Sequence, residues 1–202
     1  MLINLRNALM TGKRLPYDAE VEFLKSTGTQ YINTGFIPSS NTSVEIGYKT
    51  ADAQLNTVLF GRRVTYSDRS FCVWANANGK IRFDYSANSM DNKNGPNPIV
   101  GSWVQIAKRK ERNFVNGTEY TANATNTFAC NGNSYLFAMN DNGTANWLIS
   151  AQISYCKIWD GDTLAIDFVS VRKSGVGYLY DRVSGKLFGN AGTGAFLYGN
   201  DV

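Results

Sequence analysis

Two tryptophans lie close to groups that hydrogen-bond sugars. Trp74 stands two residues before Asn76, and Trp147 follows Asn146 directly and Asp141 at a short distance. A sugar site needs an aromatic ring to take the C–H face of a pyranose. It also needs amides or carboxylates at a loop rim to take hydroxyls in pairs. Trp74, Asn76, Asp141, Asn146 and Trp147 are therefore the candidate ligand-binding residues, with core or subunit contact as the competing role of the two rings.

A second constellation is "SGKLFGNAGTGAFLYG", Ser184 to Gly199, where glycines crowd around a lysine. A phosphate-binding loop places Gly-Lys-Ser/Thr after its glycines and opens a helix whose N-terminus completes the site. Here Gly185-Lys186 precedes the cluster and an aromatic, strand-like end follows it. The run Gly189 to Gly194 also departs from the dinucleotide spacing. The segment reads as strand, turn, strand, with glycines serving tight backbone bends and Lys186 solvated.

Acid–base and metal chemistry find little support. The chain has no histidine, which removes the usual base of Ser-His and Cys-His catalysis. Its three cysteines, Cys72, Cys130 and Cys156, are widely spaced and form no C-x-x-C, so neither zinc ligation nor a disulfide framework is expected. A net charge of +4 with scattered basic residues does not suit nucleic acid. The one basic run, Lys108 to Arg112, reads as a solvated strand end. No apolar run reaches the ~18 residues of a membrane span. Asn4, Arg6 and Asn7 interrupt any signal-peptide apolar stretch, so no export signal is expected.

The elements that must position these residues fall into two kinds. Leu2, Leu5 and Leu9, flanked by Ile3 and Met10, form the stripe of one short amphipathic helix that ends near Gly12 and Pro16. So short a helix needs a partner surface, and residues 1–18 are expected to be a docking arm, residues 19–202 the domain. From Glu20 onward the pattern alternates with period two between turn signals. Asn-Gly recurs at positions 78, 94, 116, 131 and 142, which argues for an all-β sandwich or jelly roll. In "FCVWANANGKIRFDYS", Cys72 and Trp74 face one way and Phe71 and Val73 the other, making a hairpin about the Asn78-Gly79 turn. Strands are expected at 20–25, 29–34, 42–50, 56–61, 70–75, 80–85, 102–108, 113–121, 133–139, 148–159, 164–170, 177–181, 186–189 and 195–198. Residues 86–101 are expected to form a long surface loop.

The stretches "FLKSTGTQYINTGFIPSSNTSVEIGY", "GSWVQIAKRKERNFVNGTEY" and "YLFAMNDNGTANWLISAQISYCKIWDGDTLAIDFVSVRKSGVGYLYDRVSGKLFGNAGTG" resemble the laminin-G-like, concanavalin A-like jelly-roll domains of gut bacteria and their phages. The resemblance covers about residues 20–199. It implies two antiparallel sheets of six or seven strands, and a domain that binds carbohydrate or protein. Trp103 and Trp159 match the family's core pattern, which implies packing roles. Glucan-hydrolysing relatives carry two glutamates about an aspartate on one strand, with carboxylates about 5 Å apart. This chain has only Glu45 in "SVEIGYK", and Glu20 with Glu22 in "AEVEF", so it is expected not to be an enzyme. Some relatives hold calcium. The weak metal candidates are Asp141 with Asn142, and Asp160 with Asp162, although the same residues suit tight turns, and no cofactor is expected.

Together these readings lead us to expect a non-enzymatic virion protein of a gut-bacterium phage, made in the host cytoplasm. It would attach to capsid or tail proteins through its arm, form a homo-oligomer, and display a lectin-like jelly roll to glycans. The alternative is a free carbohydrate-binding module of a bacterial surface protein. Neither nucleic acid nor membrane is an expected partner.

Overall fold

The computed structural model describes residues 15–65, 68–87 and 91–202. The arm residues Leu2, Ile3, Leu5, Leu9 and Met10 lie outside the described residues. Alternating sequence becomes strand throughout, and no helix occurs among the described residues. The chain opens with the two-residue strands β1 (Ala19–Glu20), β2 (Leu24–Lys25) and β3 (Ile32–Asn33). The long strands β4 (Thr42–Lys49), β5 (Thr57–Thr65), β6 (Asp68–Ala77) and β7 (Lys80–Ser86) follow, then β8 (Asn92–Asn94). Next come β9 (Val104–Arg109), β10 (Arg112–Val115), β11 (Thr118–Glu119), β12 (Tyr135–Leu136), β13 (Met139–Asp141) and β14 (Thr144–Asn146). The chain ends with β15 (Gln152–Asp160), β16 (Thr163–Lys173), β17 (Val176–Asp181), β18 (Lys186–Phe188) and β19 (Leu197–Tyr198).

These form two facing sheets. The first runs β11-β10-β9-β4-β15-β16-β17-β18, with β1 added on β16 and β2 bridging β15 and β19. The second runs β14-β13-β5-β6-β7-β8, with β12 joining β3 and β5. Pairing is antiparallel except between β13 and β5. That exception arises because β12 and β13 both pair with Gly61 and the chain turns between them at Phe137, whose φ is +68°. The expected strand 133–139 is thus divided in two. The expected loop 86–101 contributes β8, paired to β7, and the expected strand 148–159 begins later, at Gln152.

The core lies between the sheets. Val44, Ile46 and Tyr48 of β4 meet Phe71 and Val73 of β6 and Phe83 and Tyr85 of β7 there. Three of the Asn-Gly pairs, Asn78-Gly79, Asn116-Gly117 and Asn142-Gly143, have positive φ at both residues and close two-residue hairpins. Lys108 departs from its expected place in a solvated strand end. It is fully buried, because Val104, Ile106 and Lys108 share the inward phase of β9.

The glycine-rich end closes the sandwich. Ala191 and Thr193 donate their backbone N–H groups to Tyr31 and Thr29, and a Cβ on Gly192 would collide with the Thr29 carbonyl oxygen. Phe196 enters the core and β19 pairs with β2. Val21 bridges Asp201, and Val202 donates its N–H to the Glu20 carbonyl. Lys186 is exposed on β18. Ahead of β1, Asp18 donates its N–H to the Arg172 carbonyl, and the Tyr17 ring lies 5.0 Å from that of Tyr180.

Candidate functional site

The outward phase of β4 carries Ser43, Glu45, Gly47 and Lys49, opposite in sense to the buried Thr42, Val44, Ile46 and Tyr48. On one side β9 sets Arg109 opposite Ser43, Ala107 opposite Glu45 and Gln105 opposite Gly47, with Trp103 just beyond. On the other side β15 sets Trp159 opposite Ser43, Lys157 opposite Glu45, Tyr155 opposite Gly47 and Gln152 opposite Lys49. A register shift between Ile153 and Tyr155 turns Ser154 and Tyr155 to the same outer face. The Ser154 hydroxyl donates to the Gly47 carbonyl at 3.3 Å.

The centre of this face is a hydrogen-bonded cluster. Glu45 Oε1 accepts from Gln105 Nε2 at 3.0 Å and from the Tyr155 hydroxyl at 3.1 Å, while Gln105 Nε2 also lies 3.1 Å from that hydroxyl. Glu45 Oε2 is 3.8 Å from an Arg109 guanidinium nitrogen. Burial raises the Tyr155 hydroxyl above its ordinary range, and the Glu45 carboxylate adds to the effect, so the phenol keeps its proton. The ring lies close to Gly47, where an added Cβ would come within 2.5 Å of Tyr155 Cε1.

An open cleft flanks each end. One, of about 600 Å³, is lined by Glu22, Phe23, Lys49, Trp103, Gln152 and Ser154. The other, of about 320 Å³, is lined by Ser43, Glu45, Arg109, Trp159 and Asp162, among others. Trp103 is 45% exposed, with its ring 6.4 Å from that of Phe23. Trp159 is half-buried at the opposite end. The expected packing roles of Trp103 and Trp159 are thus corrected: Trp103, just ahead of β9, is exposed, and Trp159 shares the outward phase of β15. Rings, amides and a carboxylate on one open face can stack a sugar and take its hydroxyls.

The sequence-predicted set lies on the outer face of the second sheet, where four of its five residues meet. Trp74 is 4% exposed and its indole N–H donates to Asp84 Oδ2 at 2.7 Å. The Arg82 guanidinium covers it at 4.3 Å and the Trp147 ring lies 5.5 Å away. Arg63 stacks on Trp147 at 4.5 Å and pairs with Asp141 at 3.0 Å, while Asn146 Nδ2 donates to the other Asp141 oxygen. Burial raises the Asp84 carboxyl, opposed by Arg82 and the Trp74 N–H. Trp147 is half-buried with φ of +52°. Asn76 is turned away. It donates to the Ala53 carbonyl and accepts from the Gly79 N–H, fixing the hairpin turn. This cluster is a cation–π stack around a buried ring, and Trp74 and Asn76 are closed off where an open rim was expected.

Asp141 is occupied by Arg63 and Asn146, and Asp160 and Asp162 flank the Gly161 turn between β15 and β16. No group of three or more Cys, Asp or Glu side chains converges on a metal-sized space among the described residues.

No protein-family model matches the chain, and no curated protein matches it. Solved structures do. The CBM40 module of a Ruminococcus gnavus IT-sialidase, bound to alpha2,3 sialyllactose, superposes with a TM-score of 0.51 at 16% identity, over 71% of this chain and 90% of that one. A provisionally named carbohydrate binding protein from Bacteroides ovatus ATCC 8483 superposes with a TM-score of 0.59 at 10% identity. It is matched over 90% of this chain and 61% of that one, so the chain spans less than two thirds of its length. At these identities the likeness is one of fold: the chain is an all-β, two-sheet jelly roll of the kind found in carbohydrate-binding modules.

Proposed function

We propose that this domain binds glycan, without turnover, on the outer face of β4, β9 and β15. The observation that carries the reading is the exposed Trp103 beside the Glu45–Gln105–Tyr155 cluster, an aromatic platform next to preorganised hydroxyl partners. The fold shared with carbohydrate-binding modules supports it. A glycan array on the purified protein tests it directly. Hits are expected, and Trp103→Ala is expected to weaken the best of them at least tenfold without changing the melting temperature. A reducing-sugar assay on the same glycans is expected to stay at background. An array without hits, or binding indifferent to Trp103, overturns the assignment.

The finer placement on a phage particle, with virion partners and self-association, is proposed on the sequence of the arm alone. Its stripe of Leu2, Ile3, Leu5, Leu9 and Met10 calls for a partner surface.

A further inference from the structure

The binding face has two ends and a middle, and together they specify the shape of what it holds. Lys49 and Ser43 are six residues apart on β4, which at strand spacing is roughly 20 Å. Trp103 lies beside the first and Trp159 opposite the second, each in its own cleft. Between them Gln105 and Tyr155 present an amide and a phenol on either side of Gly47, and Glu45 presents a carboxylate at the next outward position. A single pyranose fills one step of such a strip and reaches one ring. Reaching both rings takes several sugars linked in an extended chain lying along the strands.

The charges specify the class. The first cleft holds both Lys49 and Glu22, and the second holds Arg109, 3.8 Å from Glu45, together with Asp162. Lys157 stands opposite Glu45 in the middle. Lys25, opposite Gln152 on β2, joins Lys49 at the first end, so cations and carboxylates are interspersed along the face and do not gather into one cationic patch of the kind an acidic sugar would select.

Resting on the glycan-binding reading, we infer that the ligand is a neutral, linear oligosaccharide, held along its length by rings at both ends of the strip. The test is titration calorimetry on the intact protein with graded series of neutral α- and β-linked hexose and pentose oligomers, two to six units long. Sialyllactose and oligouronates serve as acidic probes. Affinity is expected to rise at least tenfold between two and five units and then level off. Trp103→Ala and Trp159→Ala are each expected to abolish that rise, so that the variants bind pentamer no better than dimer. Equal affinity for dimer and hexamer, dependence on Trp103 but not on Trp159, or a preference for the acidic probes overturns the extended neutral chain while leaving glycan binding in place. Failure of every saccharide, short and long, overturns both readings.

Discussion

Lys108 carries its amine into the space between the sheets. Its Nζ donates to Asn113 Oδ1 and Asn123 Oδ1, each at 2.9 Å, and lies 4.8 Å from the centre of the Tyr85 ring. Burial pushes the ammonium down to about 7, against the pull of Asp84 and Asp91. In the unfolded chain the same group titrates near 10.5. Between those values the unfolded state binds more protons, so stability rises with pH, by at most about 1.4 kcal/mol per pH unit from this group. The buried thiols act in the opposite sense. Burial holds Cys130 up at about 12 and raises Cys72 and Cys156 further, against an ordinary value near 9. The folded state therefore keeps protons that the unfolded state releases above that pH. Urea midpoints measured from pH 6 to 10 are expected to climb from about 7 to a maximum near 8 to 9. Lys108→Met is expected to flatten the climb, even though it leaves Asn113 Oδ1 without its donor, Asn123 Oδ1 keeping the bond from Asn113 Nδ2. A climb of unchanged slope in the variant would assign it to another group.

At the scale of the strand, alternation decides which side chains work and which only pack. The sequence W-V-Q-I-A-K-R, Trp103 and the whole of β9, puts Trp103, Gln105 and Arg109 in one phase and Val104, Ile106 and Lys108 in the other. That phase was legible in the residues and identifies both the exposed ring and the buried lysine. A reading of the basic run as one solvated block loses it. The β6–β7 hairpin was legible down to its faces, because Asn-Gly fixes the turn and the alternation fixes the faces, although a register shift between Trp74 and Ala77 was not. Alternation puts Trp74 on the face it occupies, but nothing local shows that Arg82, three strand positions from the turn, and Trp147, from a distant loop, cover that face. The Glu45 cluster was illegible for the same reason. It joins three strands, and its geometry depends on a register shift in β15 that no local pattern announces. Gly47 tests the arrangement. Gly47→Ala places a methyl against the Tyr155 ring and within 2.7 Å of the Ser154 hydroxyl oxygen, so the ring must leave Glu45. Calorimetry is expected to show glycan affinity reduced severalfold, with about 1–3 kcal/mol lost in urea unfolding.

For the whole molecule, the division of labour between arm and sandwich can be measured. Of the arm's described residues, Leu15 to Asp18 line a cleft with Lys173, and Asp18 donates its N–H to the Arg172 carbonyl. Deleting residues 1–18 is expected to leave the melting temperature of the sandwich within a few degrees of the intact chain and its glycan binding unchanged, while incorporation into particles and self-association are lost. Sedimentation and particle-assembly assays read these two effects separately, and undiminished incorporation would sink the docking role.

The closure made by β1, β2 and β19 brings Glu20 and Val202 into hydrogen-bond contact, so the chain enters and leaves the sandwich side by side at one edge. That geometry makes the domain a cassette. Joined through a short linker and reopened at the Asn116-Gly117 turn, it retains the pairing of every long strand as a circular permutant. Spliced into a surface loop of a host protein, it would displace the two ends of that loop by little.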